Sequence, residues 1–171
     1  ILHQKPDVIV SLESGSGIDA CKAAATLATF GDLEAELDYY FGLGQVTRLC
    51  ERTGRNVLPV VALMTAASSS AHLTKYSNIT DPVKGQKKLI IDEAIVPPKC
   101  VFDYAVTFTA PLSLTIDGAL DGFSHSLEVL YEAVSKSEYK EIERIALEAV
   151  QLVLRYLPQV LEDAENSEAR E

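Results

Sequence analysis

Four groups of residues carry side chains at spacings that could do chemistry. Ser14-Gly15-Ser16-Gly17 stands between an apolar run and a helix-forming run. A helix N-terminus offers unpaired N–H groups and partial positive charge, so a phosphate can dock where the turn carries no bulky side chain. The Ser14 and Ser16 hydroxyls would add donors, although Gly and Ser at a turn also serve plain turning. Glu13 works against an anion here unless its carboxylate points away. Thr65 to Ala71, a second run of small residues, follows the next apolar run, and His72 lies just beyond it. Taken alone, His72 reads as a surface or hydrogen-bonded histidine. Asp121 and His125 are four residues apart and share a face if that segment is helical. A carboxylate and an imidazole so placed can give two ligands to a divalent cation, or simply form an exposed pair on a helix. Lys87-Lys88 beside a strand reads as solvated edge protection, or as a cation reaching a cofactor phosphate or ribose.

The elements that must position these groups follow from the apolar spacing. Val8 to Leu12 reads as a buried strand, Ile18 to Thr29 as a helix stopped by Gly31, and Val57 to Leu63 as the next buried strand. Strand, Gly/Ser turn and helix make the opening half of a β-α-β unit. Between them, about 33–52 reads as an amphipathic stretch broken near Gly42 and Gly44. Tyr76 to Thr80 and Lys88 to Ile91 read as a hairpin-like pair, and Cys100 to Asp103 as a further short strand. Small-residue loops after two parallel strands would face one crevice at the strands' carboxyl ends, where open α/β sheets bind ligands.

Beyond Pro111 the pattern turns helical, over 113–134 and 139–161. Leu120, Phe123, Leu127, Leu130 and Val134 cluster on one side of the first helix, with Asp121, His125 and Glu132 opposite. In the second, Ile142, Ile145, Ala146, Ala149, Leu152, Val153, Tyr156 and Leu157 form the predicted buried stripe. The acidic C-terminal residues read as a solvated helix face and a frayed tail. The order of elements implies an α/β portion over 1–110, followed by an all-α portion over 111–171 that stops early.

Composition excludes several classes. The 171 residues are 47% hydrophobic and 23% charged, with a net charge of −10. That is too apolar for disorder, and too acidic for a general nucleic-acid binder. No apolar run approaches the roughly 20 residues that span a bilayer. Cys21, Cys50 and Cys100 are odd in number and far apart, which argues against a disulfide framework or a zinc cluster and for a reducing cytoplasm. With no initiating Met and no signal pattern, the sequence reads as an internal piece of something longer.

Four motifs in order resemble the iron-containing (group III) alcohol dehydrogenase family, whose fold is of the dehydroquinate synthase-like kind. Pro6 to Ala23 looks like its strand, G-G-G-S-x-I-D-x-A-K turn and helix. Met64 to Thr74, with Ile79 to Pro82, looks like its P-T-T-A-G-T-G-S-E-x-T segment. Pro98 to Asp103 resembles its P-D-x-x-x-D-P strand, and Leu120 to Glu128 is similar to its D-A-x-x-H-x-x-E metal helix. The resemblance implies hydride transfer between an alcohol or aldehyde and NAD or NADP, with a divalent metal, iron or zinc, polarising the substrate oxygen. It implies that Ser14, Gly15 and Ser16 hold the pyrophosphate, with Asp19 beside them. Thr65 and Thr74 would line the nucleotide cleft, with Lys87 in addition, and Asp121 and His125 would be two metal ligands.

The sequence departs from the pattern at Glu13 and Ser14, which replace two turn glycines, and at Ser68, Ser70 and His72 in the second segment. Its histidines are His3, His72 and His125, while the family's remaining two metal-binding histidines lie further along the helical domain. Residues 1–171 alone are therefore expected to be inactive or nearly so. Their helices should expose apolar stripes and associate, consistent with a homo-oligomer. The competing readings are a family member that has lost catalysis and serves as a binding or assembly module, and a metal-free reductase that uses the cleft but not Asp121.

Overall fold

A computed structural model describes residues 1, 4–67 and 70–171. The elements run β1 (Ile9–Glu13), α1 (Gly15–Phe30), β2 (Gly42–Leu43), α2 (Gln45–Thr53), β3 (Val60–Met64), β4 (Tyr76–Asp81), β5 (Gln86–Ile91) and β6 (Lys99–Val101). Then follow α3 (Leu112–Ala133), α4 (Tyr139–Glu162) and the short α5 (Ser167–Arg170). An α/β portion is thus followed by a helical one. Two compact units result, one of residues 1–64 and 70–102, the other of 65–69 and 103–171.

In the first unit β1, β3 and β6 form a parallel sheet in the order β1-β3-β6, with Ser11 opposite Ala62 and Ala62 opposite Cys100. Successive side chains alternate between faces, so these three small residues make one row. The row lets α1 come close, and Ile18, fully buried, packs on Ala62 and Ala71. The other face carries Val10, Leu12 and Val101, which are 72%, 56% and 45% exposed. The fully buried strand expected at 8–12 is therefore buried only at Ser11. A parallel sheet needs cover on both faces, and among the described residues of this unit the helical cover lies on one.

Ser11 has a cost. Its Oγ is buried with no hydrogen-bond partner among the described residues. A desolvated, unpaired hydroxyl costs about 1–3 kcal/mol. Ser11→Ala is expected to raise the denaturant midpoint, with a gain of about 1 kcal/mol.

α1 is enclosed on more than one side. Ala23 and Phe30 join Tyr40, Val46, Leu49, Ile90 and Ile95 in the larger core cluster. The amphipathic stretch over 33–52 breaks at Gly42 and Gly44, where its sequence places the break. Gly42 and Gly44 adopt φ of +99° and +71°, which ends the 3₁₀ turn at Leu37–Tyr40 and lets β2 pair with β5 before α2 begins. β4 and β5 form the expected antiparallel pair, with β5 central in a second sheet of order β2-β5-β4. Asp92, 2% exposed, accepts from the Thr47 backbone N–H and hydroxyl, which fixes the start of α2 to the end of this sheet.

In the second unit α3 and α4 pack as a helical hairpin joined by residues 134–138. The packed stripe on α3 is built of small residues, Thr115, Gly118 and Ala133, rather than of the predicted leucines; Leu120 and Val134 are exposed. On α4, Ala146 and Val160 are buried, while Ile145 and Leu152 of the predicted stripe are about half exposed at 52% and 49%. The buried positions on α3 and α4 are few and small, so the covered arc of each helix is narrower than the leucine pattern suggests. The tail is not frayed. Asn166 caps α5, and Arg170 donates to the Ala164 carbonyl and the Thr107 hydroxyl. No helix among the described residues is long and apolar enough to cross a membrane.

Candidate functional site

The β1–α1 junction is tight. Gly15, Ser16 and Gly17 are not a loop before the helix but its first turn, and Ser14 is the N-cap with extended backbone at φ −75° and ψ 178°. The Ser14 carbonyl accepts the first intrahelical bond, from the Ile18 N–H at 3.0 Å. The N–H groups of Gly15, Ser16 and Gly17 therefore precede the helical ladder, and the Ser14 side chain caps none of them. An anion placed there meets three donors and the positive end of a sixteen-residue helix. Glu13 lies beside this turn. A Cβ on Gly17 would stand 2.6 Å from Glu13 Cβ and 2.8 Å from its Oε2, so glycine at 17 is what makes room for the glutamate.

One turn further on, Asp19 and Lys22 are buried at 8% and 1% exposure. Lys22 Nζ donates to the Thr74 carbonyl at 2.7 Å and the Tyr76 carbonyl at 2.8 Å, and lies 4.0 Å from Asp19 Oδ1. Asp19 Oδ2 accepts the Asn78 N–H at 3.0 Å, and the Asp19 carbonyl accepts the Ser77 hydroxyl at 2.7 Å. Burial pushes the Lys22 ammonium down to about 8, against the pull of Asp19. Burial likewise pushes the Asp19 carboxyl up, opposed by the Asn78 N–H and by Lys22. Desolvation wins at both groups because 4.0 Å is too long for a tight ion pair.

Of the cleft residues named from the sequence, Ser14, Gly15, Ser16, Asp19 and Thr74 thus gather around the first two turns of α1 and the chain leading into β4. Lys22, at the lysine position of the turn motif, ties the last two together, a contact that its spacing alone does not reveal. Lys87 stands apart, exposed within β5 opposite Thr80, while its neighbour Lys88 pairs with Asp38 and Asp81 beneath Phe41. These lysines lie in the central strand of their sheet, not on an edge. His72 is buried, edge-on to the Phe102 ring at 5.3 Å between centroids, and is not a surface histidine. Thr65, half-buried, belongs to the second unit. Ser68, one of the replaced glycines, and His3 lie outside the described residues.

Asp121 and His125 sit one turn apart on α3, opposite the face of Leu120, Leu127 and Leu130. His125 Nδ1 is 3.5 Å from Asp121 Oδ2, and the side chains are 63% and 48% exposed, respectively. Among the described residues no group of three or more His, Cys, Asp or Glu side chains gathers there or elsewhere. A carboxylate oxygen and an imidazole nitrogen are donors that suit iron or zinc, so the pair fits part of a metal site and leaves other ligands to be supplied.

A parallel β-α-β sheet with an open helix start, followed by a helical portion bearing an acid–imidazole pair, defines the class as an α/β fold joined to a helical portion. The family model for iron-containing alcohol dehydrogenase matches residues 1–104, and the chain belongs to that family. It is 32% identical over 165 residues to the NAD-dependent methanol dehydrogenase of Bacillus methanolicus, covering 96% of this chain and 40% of that one. It is 30% identical over 169 residues to the bifunctional aldehyde-alcohol dehydrogenase of Escherichia coli K12, covering 98% of this chain and 19% of that one. Among solved structures, 1,3-propanediol oxidoreductase superposes with a TM-score of 0.84 at 25% identity, over 99% of this chain and 41% of that one. The chain spans about 40% or less of the length of these relatives.

Proposed function

We propose that the whole protein transfers hydride between an alcohol or aldehyde carbon and the nicotinamide of NAD or NADP. The observation that carries this reading is the uncapped first turn of α1, Gly15-Ser16-Gly17, opening at the carboxyl end of a parallel strand. There the backbone N–H groups, with Ser14 and Ser16, would hold the cofactor's pyrophosphate. Asp19 and Thr74 would border the nucleotide, with Thr65 and Lys87 as further contacts. Asp121 and His125 would hold a divalent metal, iron or zinc, together with ligands from outside residues 1–171. When bound, that metal polarises the reacting oxygen as a Lewis acid. Residues 1–110 would then be part of the dinucleotide-binding domain, and the helices from 111 onward the start of the metal-binding domain. Assembly as a homo-oligomer in the cytoplasm belongs to the same proposal. It is supported by Leu147, Leu154 and Leu161, which repeat every seven residues along α4 and remain exposed.

Titration of the whole protein with NADH, followed by nicotinamide fluorescence, tests the reading. Saturable binding in the micromolar range is expected, and none at millimolar cofactor sinks it. A second reading, a non-catalytic binding module, is favoured by Glu13, whose carboxylate lies against the turn that would receive the pyrophosphate. Like charge there weakens phosphate binding without needing to abolish it. Glu13→Gly is expected to lower the NADH Kd about tenfold, and the gain should shrink as salt screens the repulsion. Equal affinities for the two proteins would clear Glu13 of any role.

A further inference from the structure

Glu13 closes β1, paired with Met64, and its side chain folds back onto the first turn of α1. Its Cβ, Cγ and Oε2 lie 2.6, 2.8 and 2.8 Å from where a Cβ on Gly17 would stand, so the glutamate fills the space that a larger residue at 17 would need. The pairing with Met64 holds the Glu13 backbone in the sheet, and the exposed carboxylate can leave this seat only by rotation about its own side-chain torsions. The turn beneath it has no other anion of its own. No acidic residue lies in the first turn of α1, and the Ser14 side chain caps none of the N–H groups. A carboxylate beside unpaired N–H groups at the positive end of a helix is stabilised there. The electrostatics that would draw a pyrophosphate to this turn therefore already hold Glu13 against it.

We infer that Glu13, seated against Gly17, is an autoinhibitory stand-in for the cofactor's pyrophosphate, which steadies the first turn of α1 while the turn is empty and swings away when the dinucleotide enters. The inference rests on the dinucleotide reading above and adds a gate to it. Cofactor meets a competent turn only in the fraction of molecules whose Glu13 has left its seat, and the apparent affinity falls by that fraction. Two simpler roles predict something else. A charge that only repels phosphate would weaken binding without steadying the turn. A plain helix cap would steady the turn and leave cofactor affinity alone.

The test uses the whole protein and Glu13→Gln, which keeps the shape of this exposed side chain and removes its charge, with folding checked by circular dichroism. Two quantities are measured: the NADH Kd, by nicotinamide fluorescence, and amide hydrogen exchange over residues 18–21 of the cofactor-free protein, the first hydrogen-bonded turn of α1. Glu13→Gln is expected to lower the NADH Kd about fivefold and to speed that exchange about two- to fivefold. Tighter binding with unchanged exchange reduces Glu13 to a repelling charge and overturns the inference. Faster exchange with unchanged Kd reduces it to a cap and overturns the inference equally, and both results leave the dinucleotide reading standing. Absence of NADH binding by both proteins at millimolar cofactor removes the dinucleotide reading, and the gate with it.

Discussion

Lys22→Met is expected to destabilise the protein by about 3 kcal/mol, and by more at alkaline pH than at neutral pH. Methionine fills a similar volume but donates nothing, so the Thr74 and Tyr76 carbonyls lose their shared donor and Asp19 loses its nearest cation. The pH effect follows from the burial of the amine. Lys22 titrates near 8 in the folded state, against 10.5 for an ordinary lysine. Between those values the unfolded chain binds the proton and the folded chain does not, so this group's contribution to stability rises with pH across that window. Below about 8 both states are protonated and the contribution is flat. The neutral amine keeps two N–H groups for its two carbonyls, so deprotonation leaves both hydrogen bonds in place. The methionine variant lacks the group, and the gap between wild type and variant should widen from pH 7 to pH 9.5 in chemical denaturation. A constant gap across that range would mean the amine is not buried as described.

How far the sequence foretold the site depends on the distance over which each feature is determined. The β1–Ser14–α1 junction and the β4–β5 pair are written in short windows, as an apolar run, a Gly/Ser turn and alternating residues around Asp81-Pro82, and they were legible. The helices of the second unit were legible too, to within a residue or two. The burial of Lys22 was not, because a lysine in an Ala-rich helix looks like any solvated lysine until the carbonyls of Thr74 and Tyr76 arrive from the chain entering β4. Burial misled for a related reason. Val10 and Leu12 share the β-branched and aliphatic character of a covered strand, yet they face the side of the sheet that α1 does not cover. Ile145 and Leu152 have the period of a buried stripe, but the buried positions on α4 are Ala146 and Val160, and the other two stand about half exposed. Apolar patterning reports what a longer family fold can cover, and exposure here reports what residues 1–171 do cover.

That difference sets up the largest effect expected, at Asp121 and His125. In residues 1–171 the two side chains meet each other at 3.5 Å and are largely exposed. An exposed pair four residues apart on a helix is worth about 0.3 kcal/mol, so Asp121→Ala and His125→Ala should leave the fold and its melting temperature nearly unchanged. If the pair is only that, activity and metal content of the whole protein should be unmoved as well. If the two residues are ligands, each alanine variant removes one donor from a small set, and the stabilisation of developing charge on the substrate oxygen goes with it. Several kcal/mol of that stabilisation corresponds to a loss on the order of 10³ in kcat/KM, accompanied by loss of bound iron or zinc in elemental analysis. The small stability effect makes the experiment decisive, since an inactive but normally folded, metal-depleted protein has lost a ligand and nothing else. A fully active Asp121→Ala protein with its metal retained would reject the ligand role and favour the metal-free reductase.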